Sequence, residues 1–410
     1  MADILGHGPD SEPPRWTSPM VLAVAGVVLV AIALLIRGVV DRPAAHRPAA
    51  GSGARTAAPP ARGPALPFGA TVTSGGSNEP IRFSGIPATS GVGWLLLTGP
   101  RPGWLQTATG SFQPIAGLPA WGPGYGFTRV AGGWAVQRYS PPQANCQVCD
   151  APPAVYYIPG QSAKAIVVGA AYNAAAAANL GALWLTAYLP DADIAAASGT
   201  TQEVTTAGQG VGPPAQLPAG YVIDRAVKGG LLLAAYEQGP GPVRDYLWDP
   251  VTAQVRRYFT NVIAASPGQI AWDPCLGMCP LRILRLPAMA GPTVRLPHGA
   301  WAVAGTFSAD GRLLALQVTT DVQRDGSAAA TRLEVINTAS GRVTVLPGTT
   351  INALIGVRFG WQASSDRLLA AIALPSGLAE LASWQPGDTR LSVQAVRLPT
   401  GTAPVLGDRG

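Results

Sequence analysis

The chain of 410 residues reads as all-β: a β-propeller of about seven four-stranded blades behind one N-terminal transmembrane helix and a Pro/Ala-rich tether. Three observations predict this. Short apolar strands recur behind tight Gly or Asp turns, at a period in the forties. Gly (50 residues) and Pro (40) are too dense for long helices and suit many strands joined by turns. One unbroken apolar run, Met20 to Ile36, sits close to the N-terminus. In order, the chain divides into a short tail (1–17), the membrane helix (18–40), a linker (41–67), the propeller (68–400) and a C-terminal tail (401–410).

With Val39 and Val40 added and Arg37 snorkelling outward, the apolar run approaches the ~20 residues that span a bilayer as a helix. Arg15 and Trp16 precede it, where a cation and an aromatic anchor the interface. A secretory leader has a basic start and an apolar core of roughly 7–15 residues. Here Asp3, Asp10 and Glu12 stand against Arg15 and the core is longer, although the Ala-rich stretch after Arg42 leaves cleavage open. A buried core helix is the other alternative, but Pro13-Pro14 and Pro43 give it no partner elements. A single-pass anchor is the reading adopted.

Orientation draws on opposed signals. Arg37, Arg42, Arg47, Arg55 and Arg62 follow the span and favour a cytoplasmic C-terminal side, but long domains translocate largely regardless of charge. Cysteine usage and the tether favour the outside, so the propeller is expected to be extracytoplasmic. Residues 41–67 are rich in Pro, Ala, Gly and Arg with almost no large apolar side chains, the composition of an extended tether.

Charged residues are 12% of the chain, with two lysines, Lys164 and Lys228, and a net charge of +6. No basic stripe interleaved with aromatics follows the tether, so nucleic acid is not an expected partner.

The repeat begins near Gly91. Apolar strands follow turns at Gly93, Gly133, Gly181, Gly230, Gly268, Gly311 and Asp366, spaced about 38 to 55 residues apart, as propeller blades are. Leu-Pro pairs at Leu118, Leu217, Leu296, Leu346 and Leu398 close several units, proline being tolerated at strand ends and edges. Segments such as Leu247–Thr252 and Val335–Val343 supply a further strand and turn between the markers. The segment from Ile81 to Pro87 offers an extra strand to close the ring with the last blade. Two stacked β-sandwiches would also give many short strands, but predict neither the period nor the repeated turn.

The run Thr306-Phe-Ser308-Ala-Asp310-Gly311-Arg-Leu-Leu-Ala315 resembles the strand-turn-strand signature of the bacterial WD40-like propellers, including the TolB type. Trp361 to Ala370 is a weaker copy. The other five units keep the Gly turn and apolar strand without Ser-x-Asp-Gly, so the likeness is specific in two units and architectural elsewhere. The resemblance implies a periplasmic-type propeller.

Candidate site residues are few. Cys146 and Cys149, and Cys275 and Cys279, form two local pairs, each between the second and third strands of its unit, in the second and fifth units. One zinc ion needs all four sulfurs within bonding reach, which that separation around the ring opposes. A redox Cys-x-x-Cys needs a helix start that the sequence lacks. Two local disulfides in an oxidising compartment are expected. His298 is the only histidine after the tether, so no histidine metal centre is expected, and it reads as a loop residue. Trp104 and Trp121 lie in Gly/Pro-rich stretches and, with His298, are candidate contacts of a binding face.

The domain's glutamates fall in separate units and nominate no paired-carboxylate centre. No Gly-x-Ser-x-Gly, His-Glu-x-x-His or phosphate-loop motif occurs. The sequence therefore predicts no catalytic residue, metal or cofactor, but a membrane-anchored scaffold binding a protein or cell-envelope component. The alternatives are a cell-envelope hydrolase or lyase at the propeller mouth, and the sensory ectodomain of a signalling complex.

Overall fold

Each recurrent turn opens the second strand of an antiparallel blade, and seven blades are present, six of four strands and one of five. The computed structural model describes residues 82–406, apart from 90–91, 122–123, 139–151, 163, 189–198, 236–243, 276–278, 297–299, 323–327, 352–356, 363–365 and 375–376. The expected membrane helix and tether lie outside the described residues. Among those described, no helix is long and apolar enough to cross a membrane.

In chain order, β1 (Gly85–Pro87) comes first. Blade 1 contains β2 (Trp94–Thr98), β3 (Gly103–Gln106) and β4 (Phe112–Pro114). Blade 2 is β5 (Tyr125–Val130), β6 (Gly133–Arg138), β7 (Ala154–Pro159) and β8 (Ile166–Ala170). Blade 3 is β9 (Asn173–Ala176), β10 (Ala182–Tyr188), β11 (Gly199–Thr205) and β12 (Gly210–Gln216). Blade 4 is β13 (Tyr221–Val227), β14 (Gly230–Ala235), β15 (Arg244–Asp249) and β16 (Gln254–Thr260). Blade 5 is β17 (Val262–Ser266), β18 (Gln269–Trp272), β19 (Leu281–Arg285) and β20 (Thr293–Val294). Blade 6 is β21 (Trp301–Phe307), β22 (Leu313–Val322), β23 (Ala328–Asn337) and β24 (Val343–Val345). Blade 7 is β25 (Arg358–Trp361), β26 (Leu368–Ala373), β27 (Leu378–Trp384) and β28 (Leu391–Arg397), and β29 (Ala403–Pro404) ends the series.

Both ends of the domain close the ring. β29 pairs with β2, Leu97 opposite Pro404, and so supplies the innermost strand of blade 1. The sequence reading ended the propeller at residue 400 and made 401–410 a tail; the structure corrects this, because residues 403–406 are buried. A two-residue strand is too short to carry a periodic signal. At the other end, β1 adds to the outer edge of blade 7, parallel to β28, with Gly85 opposite Leu391. The expected extra strand is therefore present. Its approach is held by the Phe83 N–H, which donates to the buried Glu380 carboxylate (2.6 Å), and by the Ser84 N–H on the Gly348 carbonyl (2.9 Å). Gly348 has φ 74°, and a Cβ there would lie 1.8 Å from the Ser84 carbonyl oxygen, so only glycine lets the two backbones meet.

The core is distributed. Seven hydrophobic clusters fill the seven spaces between adjacent blades. Between blades 3 and 4, for example, Trp248 is 1% exposed among Leu217, Ile223 and Leu231. This arrangement explains the strand pattern, since each sheet buries both faces against its neighbours and reads as continuous apolar residues.

Arginines, which the sequence showed only as scattered charges, lace the blades together. Arg225 of blade 4 donates to the Ala265 carbonyl of blade 5 (2.8 Å), and Arg285 of blade 5 to the Thr338 carbonyl that follows β23 (3.4 Å). Arg312 of blade 6 reaches Asp366 of blade 7 (3.1 Å). Arg358 of blade 7 donates to Pro404 in β29 (3.3 Å), and Arg129 of blade 2 to Trp361 of blade 7 (3.2 Å), past the short inner strand of blade 1.

The signature turn shows why its residues recur. The Ser308 hydroxyl donates to Asp310 (2.7 Å) and accepts from the Leu313 N–H (2.9 Å), while Asp310 accepts from the Arg312 N–H (3.0 Å). Gly311 takes φ 72°. Burial pushes the Asp310 carboxyl up, but these N–H and hydroxyl donors and the Arg312 guanidinium outweigh it and hold it below its ordinary range.

Blade 4 has a similar device. Asp249 accepts from the Val251 N–H (2.9 Å) and pairs with Arg256, and these donors overcome burial to lower its pKa to about 2. An acid that titrates lower when folded stabilises the fold above its unfolded pKa, ~3.9, and loses that contribution as pH falls through the folded value. Asp249→Asn should therefore lower the urea midpoint at pH 6, and the gap from wild type should close between pH 4 and pH 2. A gap that stays constant with pH would mean that the charge contributes nothing.

Candidate functional site

Strand direction gives the ring two unlike faces. The innermost strands β5, β9, β13, β17, β21 and β25 all run the same way, so connections before the first strand and between the second and third strands share one face. Turns between the first and second, and the third and fourth, share the other. The first face is the loop face: described residues on it include 273–275 and 279–280 between β18 and β19, and 346–351 before β25. On the turn face the first-to-second connections shrink to 131–132, 228–229 and 267–268.

Of the sequence-nominated residues, Cys275, Cys279 and Trp121 lie on loop-face connections. Cys275 and Cys279 lie between β18 and β19 with their sulfurs at bonding distance (1.93 Å), and the Cys275 N–H donates to Asp273 (3.0 Å). Cys146, Cys149 and His298 lie outside the described residues. Trp121, on the connection between blades 1 and 2, is half-buried, with the Arg138 guanidinium 4.9 Å above its ring. Trp104 is not the exposed contact the sequence suggested. It lies within β3, is 5% exposed, and donates from Nε1 to the Ser162 carbonyl of blade 2 (3.0 Å). Its Gly/Pro neighbours belong to turns on either side, while its own ring fills the space between blades 1 and 2.

Trp301, like most tryptophans in strands, reads from the sequence as core packing, and Val303 carries no signal; the structure exposes both. They stand at the loop-face start of β21 and are 40% and 52% exposed, on an innermost strand. An exposed Trp and Val where a strand begins carry no motif; only the blade register reveals their position.

Down the axis runs a cavity of about 990 Å³, lined by inner strands of blades 2 to 7 and by turn-face residues Leu180, Lys228, Pro267 and Gly311. Its charged lining is Arg129, Arg225, Lys228 and Arg285 with Asp224 and Asp310, and no described lining residue is His, Cys or Glu. Among the described residues there is no group of three or more His, Cys, Asp or Glu placed to hold a metal ion.

Seven radial sheets, six of them with inner-strand residues at the axial cavity, and a ring closed by the strand Ala403–Pro404, define a seven-bladed β-propeller. The chain is similar to TolB from Acinetobacter baumannii (11% identity over 73% of this chain and 79% of that one, TM-score 0.38). It is also similar to the periplasmic gluconolactonase PpgL of Pseudomonas aeruginosa (14%, 77% and 97%, TM-score 0.45). A third is the β-propeller domain of the Trilobed protease from Pyrococcus furiosus (9%, 77% and 98%, TM-score 0.44). No protein-family model matches the chain, and no curated protein sequence matches it.

Proposed function

We propose that the chain is a membrane-anchored, extracytoplasmic binding scaffold that holds a protein or cell-envelope component on its loop face and performs no chemistry itself. The observation that carries this reading is the difference between the two faces: one holds the Cys275–Cys279 pair and exposed Trp301 and Val303, while the other has short turns at 131–132, 228–229 and 267–268. A rigid scaffold that gathers its variable loops on one side is the usual way to present a recognition surface. The apolar run Met20 to Ile36 supplies the anchor in this reading, and the tether holds the ring off the bilayer. TolB-type propellers and hydrolytic ones share the architecture, and fold alone does not choose between them.

Photo-cross-linking in intact cells tests the assignment. A benzophenone amino acid at Trp301, on the loop face, should give a discrete adduct, and one at Val251 should not. Val251 is 91% exposed in the β15–β16 turn on the opposite face, so accessibility does not favour Trp301. Equal labelling from both positions, or an adduct from Val251 alone, would overturn the assignment.

A further inference from the structure

Two cations and two aromatic rings meet in the cleft between blades 4 and 5, toward its loop-face end. Trp272 is the last residue of β18, just before the Cys275–Cys279 connection, and Phe259 stands across the cleft on β16, the outer strand of blade 4. Both rings belong to the cluster between these blades and meet edge to face, with centroids 5.4 Å apart. Trp272 Nε1 is buried without a hydrogen-bond partner, so this ring acts through its π-face and not as a donor.

Arginines from both blades close on that ring. Arg257 lies two residues before Phe259 on the same side of β16, its guanidinium 5.9 Å from the Trp272 centroid and 5.5 Å from that of Phe259. Arg282 opposes Trp272 in the β18–β19 pair and stands 5.8 Å from the same centroid. A guanidinium at that range is held by the charge distribution of the ring, which fixes its place while leaving its N–H donors to other partners. Among the described residues, neither guanidinium forms a hydrogen bond or an ion pair.

The carboxylates that flank these strands are buried and engaged with backbone. Asp245, opposite Phe259, accepts the Val262 N–H (3.1 Å), and Asp273 accepts that of Cys275 (3.0 Å). Arg256, next to Arg257 in the chain, is by contrast paired with Asp249. The result is two guanidinium forks gathered on one tryptophan, Arg257 half-buried and Arg282 exposed. A planar fork matches two oxygens of a phosphate or a carboxylate, which a point charge does not.

We propose that Arg257 and Arg282, positioned by Trp272, form a binding site for an oxyanion of two or more negative charges, with one guanidinium supplied by each blade. The site does not rest on the loop-face partner: it is read with small ions on the purified chain, so either assignment can fail without the other.

Isothermal titration of the full-length chain in mild detergent tests it, with citrate and pyrophosphate as probes and glucose as the uncharged control. At least one anion should bind one to one, glucose should give no heat, and added salt should weaken the binding. The preferred anion identifies the group as carboxylate or phosphate. Arg257→Gln and Arg282→Gln should each weaken binding about fivefold or more, and Arg282→Lys should not restore it, because an ammonium keeps the charge but loses the fork. Arg282 is exposed, so its substitution leaves the fold intact. Arg256→Gln is the control and should leave the affinity within about twofold. No heat from either anion would overturn the proposal. So would binding that Arg256→Gln weakens as much as Arg257→Gln, or that Arg282→Lys fully retains, since either describes a diffuse positive field and not a built site.

Discussion

Ending the chain at Thr402 is expected to open the ring and remove about 3–6 kcal/mol of stability, a large share of what a domain possesses. The last described residues occupy two interfaces at once. Val405 lies in the cluster between blades 1 and 2, and Leu406 in that between blades 7 and 1. Burying each such side chain stabilises by roughly 1.5–3 kcal/mol, which gives the range stated. Hydrogen bonds are lost as well: the Val405 N–H on the Leu96 carbonyl (2.8 Å), and the Arg358 guanidinium on Pro404 (3.3 Å). The truncation also exposes the inner edge of β2, an unpaired template for aggregation. Urea unfolding and size-exclusion chromatography should show a destabilised, self-associating chain. A Thr402 truncation as stable as wild type would mean that the ring does not depend on β29.

Trp248→Ala should cost about 3–5 kcal/mol, the range for emptying a fully buried aromatic site. The side chain is 1% exposed in β15, among Ile223, Leu231 and Leu233 of its own blade and Leu217 and Ala175 of blade 3. Its neighbours belong to two sheets already fixed by backbone pairing, so the space cannot collapse around the smaller side chain. Trp301→Ala is the contrast: at 40% exposure, the change should stay within about 0.5 kcal/mol. Denaturant midpoints of the two variants give the comparison. Equal costs would mean that the interblade cluster is not what holds blades 3 and 4 together.

These two cases show which parts of the molecule were legible in the sequence. The seven turns from Gly93 to Asp366 all precede second strands, because a tight turn needs Gly or Asp and the strand after it is buried on both sides. Four-stranded blades and the closing role of Gly85–Pro87 follow from the same register. The closing strand Ala403–Pro404 was not legible, since two residues have no period. Nor was the arginine lacing: Arg129, Arg225 and Arg285 meet backbone carbonyls of other blades, and a carbonyl acceptor leaves no mark on the sequence. Trp104 misled because local Gly and Pro describe the turns around it and not the blade interface its ring occupies. The channel's basic lining was invisible for a related reason, its members coming from separate blades and meeting only when the ring closes.

The proposed function puts the ring outside the cell, and thiol labelling in intact cells tests this most directly. Cells expressing the full-length chain are treated with a membrane-impermeant maleimide, with and without prior reduction. An external propeller with two local disulfides predicts that the four cysteines label only after reduction and without lysis. Labelling without reductant, and only once the cells are lysed, would contradict it and place the propeller in the cytoplasm.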